Sequence, residues 1–131
     1  MNINEFFEHD NFAKLIGAEL IEIGEGYAKA RMLVDDRHLN GYGACQGGAI
    51  FTLADLAFAS AVNSHGQLTV STNANIAFIK AGTPGYIFAE ARELVNHHKL
   101  PFAEVRVTDE TGDLLAIFTS SGYRKKAQIE K

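Results

Sequence analysis

The sequence predicts an α+β domain: a curved antiparallel sheet of about six strands wrapped around one long central helix, with a short helical region before it. Three observations predict it. One segment, Gly47 to Asn63, is helical in pattern and apolar on almost every side, which marks an enclosed helix rather than one lying on a wet surface. Six other segments have strand character. The links between consecutive strands are short, which favours antiparallel pairing.

The elements follow in chain order. Residues 2–16 read as a helical region broken near Asp10-Asn11, with Phe6, Phe7, Phe12, Leu15 and Ile16 as its apolar contacts. Glu19 to Ile23 and Tyr27 to Val34 read as strands joined at Gly24-Glu25-Gly26. Residues 35–46 form a loop. The long helix then runs from about Gly47 to Asn63 and stops before His65-Gly66. Its apolar stripe is Ile50, Leu53, Ala54, Ala57, Phe58 and Ala61, and Phe51, Leu56, Ala59 and Val62 extend it. Leu68 to Ile79 is long, rich in β-branched residues and central in character. Tyr86 to Val95 follows the turn Gly82-Thr83-Pro84-Gly85. Phe102 to Thr108 alternates, with Ala103, Val105 and Val107 against Glu104, Arg106 and Thr108. Asp113 to Tyr123 follows Glu110-Thr111-Gly112, and the tail from Arg124 onward is expected to fray.

At 131 residues the chain reads as a single domain, 1–131. Apolar residues make up 47% and charged residues 21%, which excludes a disordered chain. A formal charge of −4 argues against a nucleic-acid partner. The lone cysteine, Cys45, excludes an internal disulfide framework. The N-terminus lacks a basic region followed by an apolar run, and nothing approaches membrane-spanning length. The expectation is a cytoplasmic protein without a membrane partner. The histidines show no metal-ligand spacing, so neither a metal nor a separate cofactor is expected.

The candidate site centres on the start and middle of the long helix. Asp55 is its one ionisable group. An apolar setting raises a carboxylate's pKa and strengthens it as a base or nucleophile. Gly47 and Gly48 open the helix; glycines there serve close packing, and their bare N–H groups also suit a developing oxyanion. Gln46 either caps the helix or points its amide at the same oxygen. Asn40 either holds the loop by side-chain-to-backbone bonds or orients a water. His38 reads as a loop residue and Cys45 as a small packed one, since neither has a tuning partner nearby. Period two places Ser71, Asn73 and Asn75 on one strand face, as a ladder of hydrogen bonds or a wall that fixes water or Asp55. Lys80, Lys99, Arg124 and Lys125 are candidate phosphate contacts, and His97-His98-Lys99 reads as an exposed turn.

Gly47 and Asp55 are eight positions apart, which is ~12 Å of helical rise. One helix cannot bring both to the same carbonyl carbon. Two antiparallel copies about a two-fold axis can. The expectation is a homodimer with composite sites.

The segment His38-x-Asn40-x-x-Gly43-x-x-Gln46-Gly47-Gly48, followed by Leu53-Ala54-Asp55, resembles the hotdog-fold acyl-CoA thioesterases of the 4-hydroxybenzoyl-CoA thioesterase superfamily. It looks most like their PaaI-type branch, named for phenylacetic acid degradation. Ala57-Phe58-Ala59, Asn63-Ser64-His65-Gly66 and Ile76-Ala77-Phe78 continue the likeness. The resemblance implies hydrolysis of a hydrophobic, aryl or arylacetyl, acyl-CoA at a dimer interface. It implies that Asp55 is the catalytic carboxylate, that the Gly47 amide polarises the thioester carbonyl, that Asn40 lies in the site and that Ser71 positions water. It also implies a dimer of dimers. Gln46 departs from the histidine usual before the glycine pair; it keeps a donor and loses the capacity for charge. Two alternatives remain: a non-catalytic acyl-CoA-binding or regulatory module, which Gln46 favours, and an enoyl-CoA hydratase or dehydratase, which needs a second acid.

Overall fold

A computed structural model describes residues 3–129. Two short helices, α1 (Ile3–Glu8) and α2 (Asn11–Leu15), precede β1 (Ala18–Gly24) and β2 (Tyr27–Val34). The long helix is α3 (Gly47–Asn63). It is followed by β3 (Gln67–Phe78), β4 (Gly85–Val95), β5 (Phe102–Asp109) and β6 (Leu114–Gln128). The break expected near Asp10-Asn11 falls between α1 and α2, where the Asp10 side chain accepts the Ala13 N–H at 3.1 Å and caps α2. The loop before α3 contains one short 3-10 turn, Asp36–His38.

All six strands form one antiparallel sheet, ordered β1-β2-β4-β5-β6-β3. Its inner face carries Ala28, Ala30 and Met32 of β2, Ile87, Ala89 and Ala91 of β4, Ala103, Val105 and Val107 of β5, and Phe118 of β6, all buried. The alanines keep β2, β4 and β5 shallow, so the helix settles close against them. From α3, Ile50, Leu53, Ala54, Ala57, Phe58 and Ala61 fill this trough, together with Leu56 and Val62. That is the stripe read from the sequence. Phe118 sits between Phe51 and Phe58, with ring centroids at 5.2 and 6.1 Å.

Three expectations are corrected. The segment read as central, β3, is an edge strand that pairs, among the described residues, only with β6. Its apolar residues misled the reading: Val70 and Phe78 are exposed, not buried. Ser71, Asn73 and Asn75 do not share a face. A bulge inserts Thr72, so Ser71 opposes Gly122 while Asn73 opposes Ser121. One extra residue reverses the alternation. Ser71 therefore faces the helix side, where its hydroxyl meets that of buried Ser120 at 2.8 Å, and Asn73 and Asn75 face outward. Last, the tail does not fray at Arg124. β6 continues to Gln128, because the start of β3 needs a partner: Thr69 opposes Arg124 and Gln67 opposes Gln128. Ile129 is buried and its N–H donates to the Gly66 carbonyl at 2.6 Å.

Candidate active site

The loop before α3 is held by its own polar groups. His38 is 3% exposed. Its Nδ1 accepts the Asp35 N–H at 3.0 Å and its Nε2 donates to the Ile16 carbonyl at 2.6 Å. Both ring nitrogens are occupied, so His38 is the loop residue expected and has no free nitrogen for a substrate. Asn40 Oδ1 accepts the N–H groups of Tyr42 (2.9 Å) and Ala44 (3.2 Å), which closes the turn around Gly43. That is the loop-holding role; the Asn40 Nδ2 has no partner among the described residues. Cys45 is buried, and burial pushes its thiol up to about 11. A thiol at that value is no nucleophile at neutral pH.

Gln46 is the N-cap residue of α3, and its side chain makes no capping bond. Its backbone carbonyl accepts from Ala49 and Ile50, and its N–H donates to His38. The amide thus stays exposed beside Gly48, where a Cβ would stand 2.8 Å from Gln46 Oε1. The N–H groups of Gly47 and Gly48 have no acceptor among the described residues, as expected for a first helical turn without a cap. Gly47 has a packing reason as well: a Cβ there would lie 2.9 Å from the Phe78 ring.

Two cavities flank this turn. One, of about 440 Å³, is lined by Asn40, Gly47, Ile50, Phe78, Ile79 and Lys80 among others. The other, of about 300 Å³, lies against Phe12, Ile16, Arg37, Gln46, Gly48 and neighbours. Gly47, Asn40 and Lys80 thus share one cavity, and Gln46 and Gly48 the next. The Lys80 ammonium is held by Asp109 at 3.3 Å and by Asp113 at 2.5 Å, so its charge is already matched.

Asp55 lies two turns along α3. Gly48, Thr52, Asp55 and Ala59 form the stripe of the helix left at least partly open. The Asp55 carboxylate is half-buried and accepts no hydrogen bond from any described residue. Burial first, and the Asp10 carboxylate second, hold its pKa above the usual carboxylate range. Sequence reasoning missed Asp10. Its capping role has a sequence signal, but its approach to α3 depends on how α2 docks. Beside Asp10, a third cavity of about 380 Å³ is lined by Phe7, Ala13, Ala18, Leu20 and Leu56 together with Glu8, Lys14 and Glu19.

Ser71, Asn73 and Lys99 lie apart from the glycine turn. Ser71 is tied to Ser120. Asn73 is on the outer face. Lys99 sits in the β4–β5 connection, where the Arg124 N–H donates to its carbonyl at 2.8 Å. Arg124 is 8% exposed and engages Asn96, the His97 carbonyl and Glu93, which also meets His65 at 2.9 Å. Its side chain is spent on the fold and is not free for a phosphate.

A family model, described as the thioesterase superfamily, matches residues 42–116. The chain belongs to the thioesterase superfamily. A protein of Archaeoglobus fulgidus that carries only a provisional esterase name is 39% identical over 119 residues, covering 90% of this chain and 77% of that one. The acyl-coenzyme A thioesterase PaaI of Escherichia coli is 31% identical over 124 residues, covering 94% and 89%. The solved structure of E. coli PaaI, from a phenylacetic acid degradation operon, superposes with a TM-score of 0.94 at 31% identity, over 98% of this chain and 94% of that one. The fold is the hotdog expected from the sequence. Among the described residues, no helix is long and apolar enough to cross a membrane.

Proposed function

We propose that this protein hydrolyses the thioester of a hydrophobic acyl-CoA, releasing the free acid and coenzyme A, at sites shared between two copies of the chain. The observation that carries this reading is the half-buried Asp55 carboxylate, unpartnered and raised, on the open stripe of a helix whose first N–H groups are also unpartnered. These two features lie too far apart on one helix to act on one carbonyl.

The long β3 edge supports pairing of two copies. Its N–H and C=O groups on the side away from β6 face no strand among the described residues. A second β3 laid antiparallel would satisfy them and set the two α3 helices side by side in opposite directions. The open stripe of Gly48, Thr52, Asp55 and Ala59 has small residues at three of its four positions, so a second helix can approach closely.

In this arrangement the Gly47 N–H of one protomer donates to the thioester oxygen, and the Gln46 amide stands by the same oxygen. The partner's Asp55 takes a proton from water as the water oxygen adds to the carbonyl carbon. The oxyanion then collapses, the C–S bond breaks, and the thiolate of coenzyme A leaves and is protonated from solvent. Direct attack by Asp55 to form an anhydride is the other route. Single turnover in ¹⁸O-water tests for the second: label in the aspartate requires the anhydride, opened at the Asp55 carbonyl, because general-base hydrolysis labels only the acid product. The apolar walls given by Ile50, Phe78 and Ile79 suit a hydrophobic, aryl or arylacetyl, acyl group.

The test of shared sites uses two inactive chains, Asp55→Asn and Gly47→Val. Each homodimer is expected to be inactive, and the mixed dimer is expected to recover one working site. No recovery on mixing would remove the composite site.

A further inference from the structure

The last residue of β3 faces the helix side of the sheet. Phe78 opposes Ala116, and Ile76, two positions earlier, opposes Phe118. Ala116 and Phe118 are buried in the core, whereas Phe78 lies level with the first turn of α3 and stays exposed. Its ring meets that turn end-on. A Cβ built on Gly47 would stand 2.9 Å from Phe78 Cζ and 3.2 and 3.4 Å from the two Cε atoms, so the tip of the ring points at the Gly47 α-carbon. A phenyl ring moves no proton there. What it controls is space.

That space is held by the backbone on both sides. Just past Phe78, the N–H groups of Ile79 and Lys80 both donate to the Leu115 carbonyl, at 2.8 and 3.2 Å. The Cys45 N–H donates to the Gly82 carbonyl at 2.8 Å. The strand end is thus tied to β6, and the loop that enters α3 is tied to the continuation of the strand. Gly82 lets the two close up, since a Cβ there would stand 3.1 Å from Cys45 Cβ. Between them lies the cavity of about 440 Å³ walled by Ile50, Phe78 and Ile79. With both walls pinned, its width beside Gly47 is set by the Phe78 ring.

A carbonyl oxygen that accepts from the Gly47 N–H lies ~2.9 Å from that nitrogen. The acyl group then leads from the glycine into the apolar cavity, past the tip of the Phe78 ring. A methylene next to the carbonyl brings only hydrogens to the ring. A methyl branch on that carbon, turned toward the ring, needs volume of the kind a Gly47 Cβ would need, and the ring already fills it. Extra bulk in a fixed, filled space is costly.

We infer that Phe78 is a specificity-determining residue, which selects against acyl groups that carry a branch, on the side facing its ring, at the carbon next to the carbonyl. This rests on the acyl-CoA reading above. It narrows that reading to acids whose carboxyl group is borne by an unbranched methylene, with the arylacetyl acids among them.

Two pairs of thioesters test it in the full-length protein. One is phenylacetyl-CoA against its α-methyl derivative, each enantiomer assayed alone. The other is phenylpropanoyl-CoA against its β-methyl derivative. With the parent, kcat/KM should fall about tenfold or more for the α-methyl enantiomer whose methyl meets the ring, the size of effect one such group has in a closed pocket. In Phe78→Leu that ratio should shrink several-fold, and in Phe78→Ala further still, while the ratio within the β-methyl pair stays as in the parent. Equal acceptance of both α-methyl enantiomers and phenylacetyl-CoA by the parent, an α-methyl ratio that Phe78→Leu and Phe78→Ala leave unchanged, or equal relief of the β-methyl ratio would each overturn the inference. If the parent cleaved none of these thioesters, the hydrolytic reading would fall. Titration calorimetry with the ketone analogues of the first pair, in which a methylene replaces the thioester sulfur, would still decide this one. The parent should bind the disfavoured α-methyl analogue more weakly than the unbranched one, and Phe78→Leu should narrow that gap; a gap that ignores residue 78 would overturn it.

Discussion

The two ends of α3 are built on opposite principles. At the Asn63 end the polar groups are knitted together. Asn63 bonds the Ala59 and Thr69 carbonyls and accepts the Thr69 N–H. The Ser64 hydroxyl donates to the Ala61 carbonyl and accepts the Gly26 N–H. His65, Glu93 and Arg124 complete a buried chain in which Arg124 Nε is the one side-chain atom left unmatched among the described buried groups. At the Gly47 end the N-cap side chain bonds nothing, two N–H groups are open and cavities stand on both flanks. Open N–H groups at the first turn of a helix suit an electron-rich oxygen. The same helix is fixed at its C-terminus and left receptive at its N-terminus.

The strongest way to break this contrast is Asp55→Asn. Turnover should fall ~100–10,000-fold. Because the folded state holds Asp55 above its ordinary value, it binds that proton more tightly than the unfolded chain does. The stabilisation this gives is complete at low pH and is lost as pH rises through the raised pKa. At neutral pH the carboxylate therefore opposes folding, and Asp55→Asn should melt at the same temperature as the parent or higher. A clear drop in melting temperature would mean that Asp55 is structural. The acid limb of the parent's kcat/KM profile should likewise lie above the range of an ordinary carboxylate.

Gly47→Ala comes next. The new Cβ must displace the Phe78 ring or the turn itself. A misplacement of about an ångström costs on the order of 100-fold in rate. Adding Phe78→Leu should restore much of it; a rate loss that ignores residue 78 would show that the donor geometry is insensitive to this contact. Glu93→Gln probes the other end. It leaves a buried arginine without its carboxylate, which costs about 3–5 kcal/mol of stability, measured by denaturant titration. Turnover of a short thioester without a nucleotide should hardly change. The smallest effect is expected for Gln46→Ala: about fivefold in kcat, the loss of ~1 kcal/mol of hydrogen bonding in the transition state. Its stability should be unaltered, since the side chain caps nothing.

The sequence was most legible where one period governed a long segment. The bounds of α3 and β2 agree with the pattern, and the order of elements does too. Apolar content could not tell an edge from a centre, because β3 carries exposed Val70 and Phe78 at an edge as a buried strand would carry them inside. That is why β3 was misplaced. The Thr72 bulge has no local signature, so the division of Ser71 from Asn73 was not readable. Arg124 looked like the start of a free basic tail; its burial depends on Glu93, thirty-one positions away. At the candidate site, Asp55 and the glycine pair stood out in the sequence because each departs from what an enclosed helix requires. Asp10 and Phe78 were not, since they reach α3 only through tertiary docking.

Cys45 stands two positions before Gly47, shut beneath the loop with a reluctant thiol. A chromogenic disulfide added to follow turnover therefore meets only sulfur released from substrate. Alkylating agents should likewise spare the folded enzyme and begin to label it only as it opens, so the same side chain serves as a built-in reporter of unfolding.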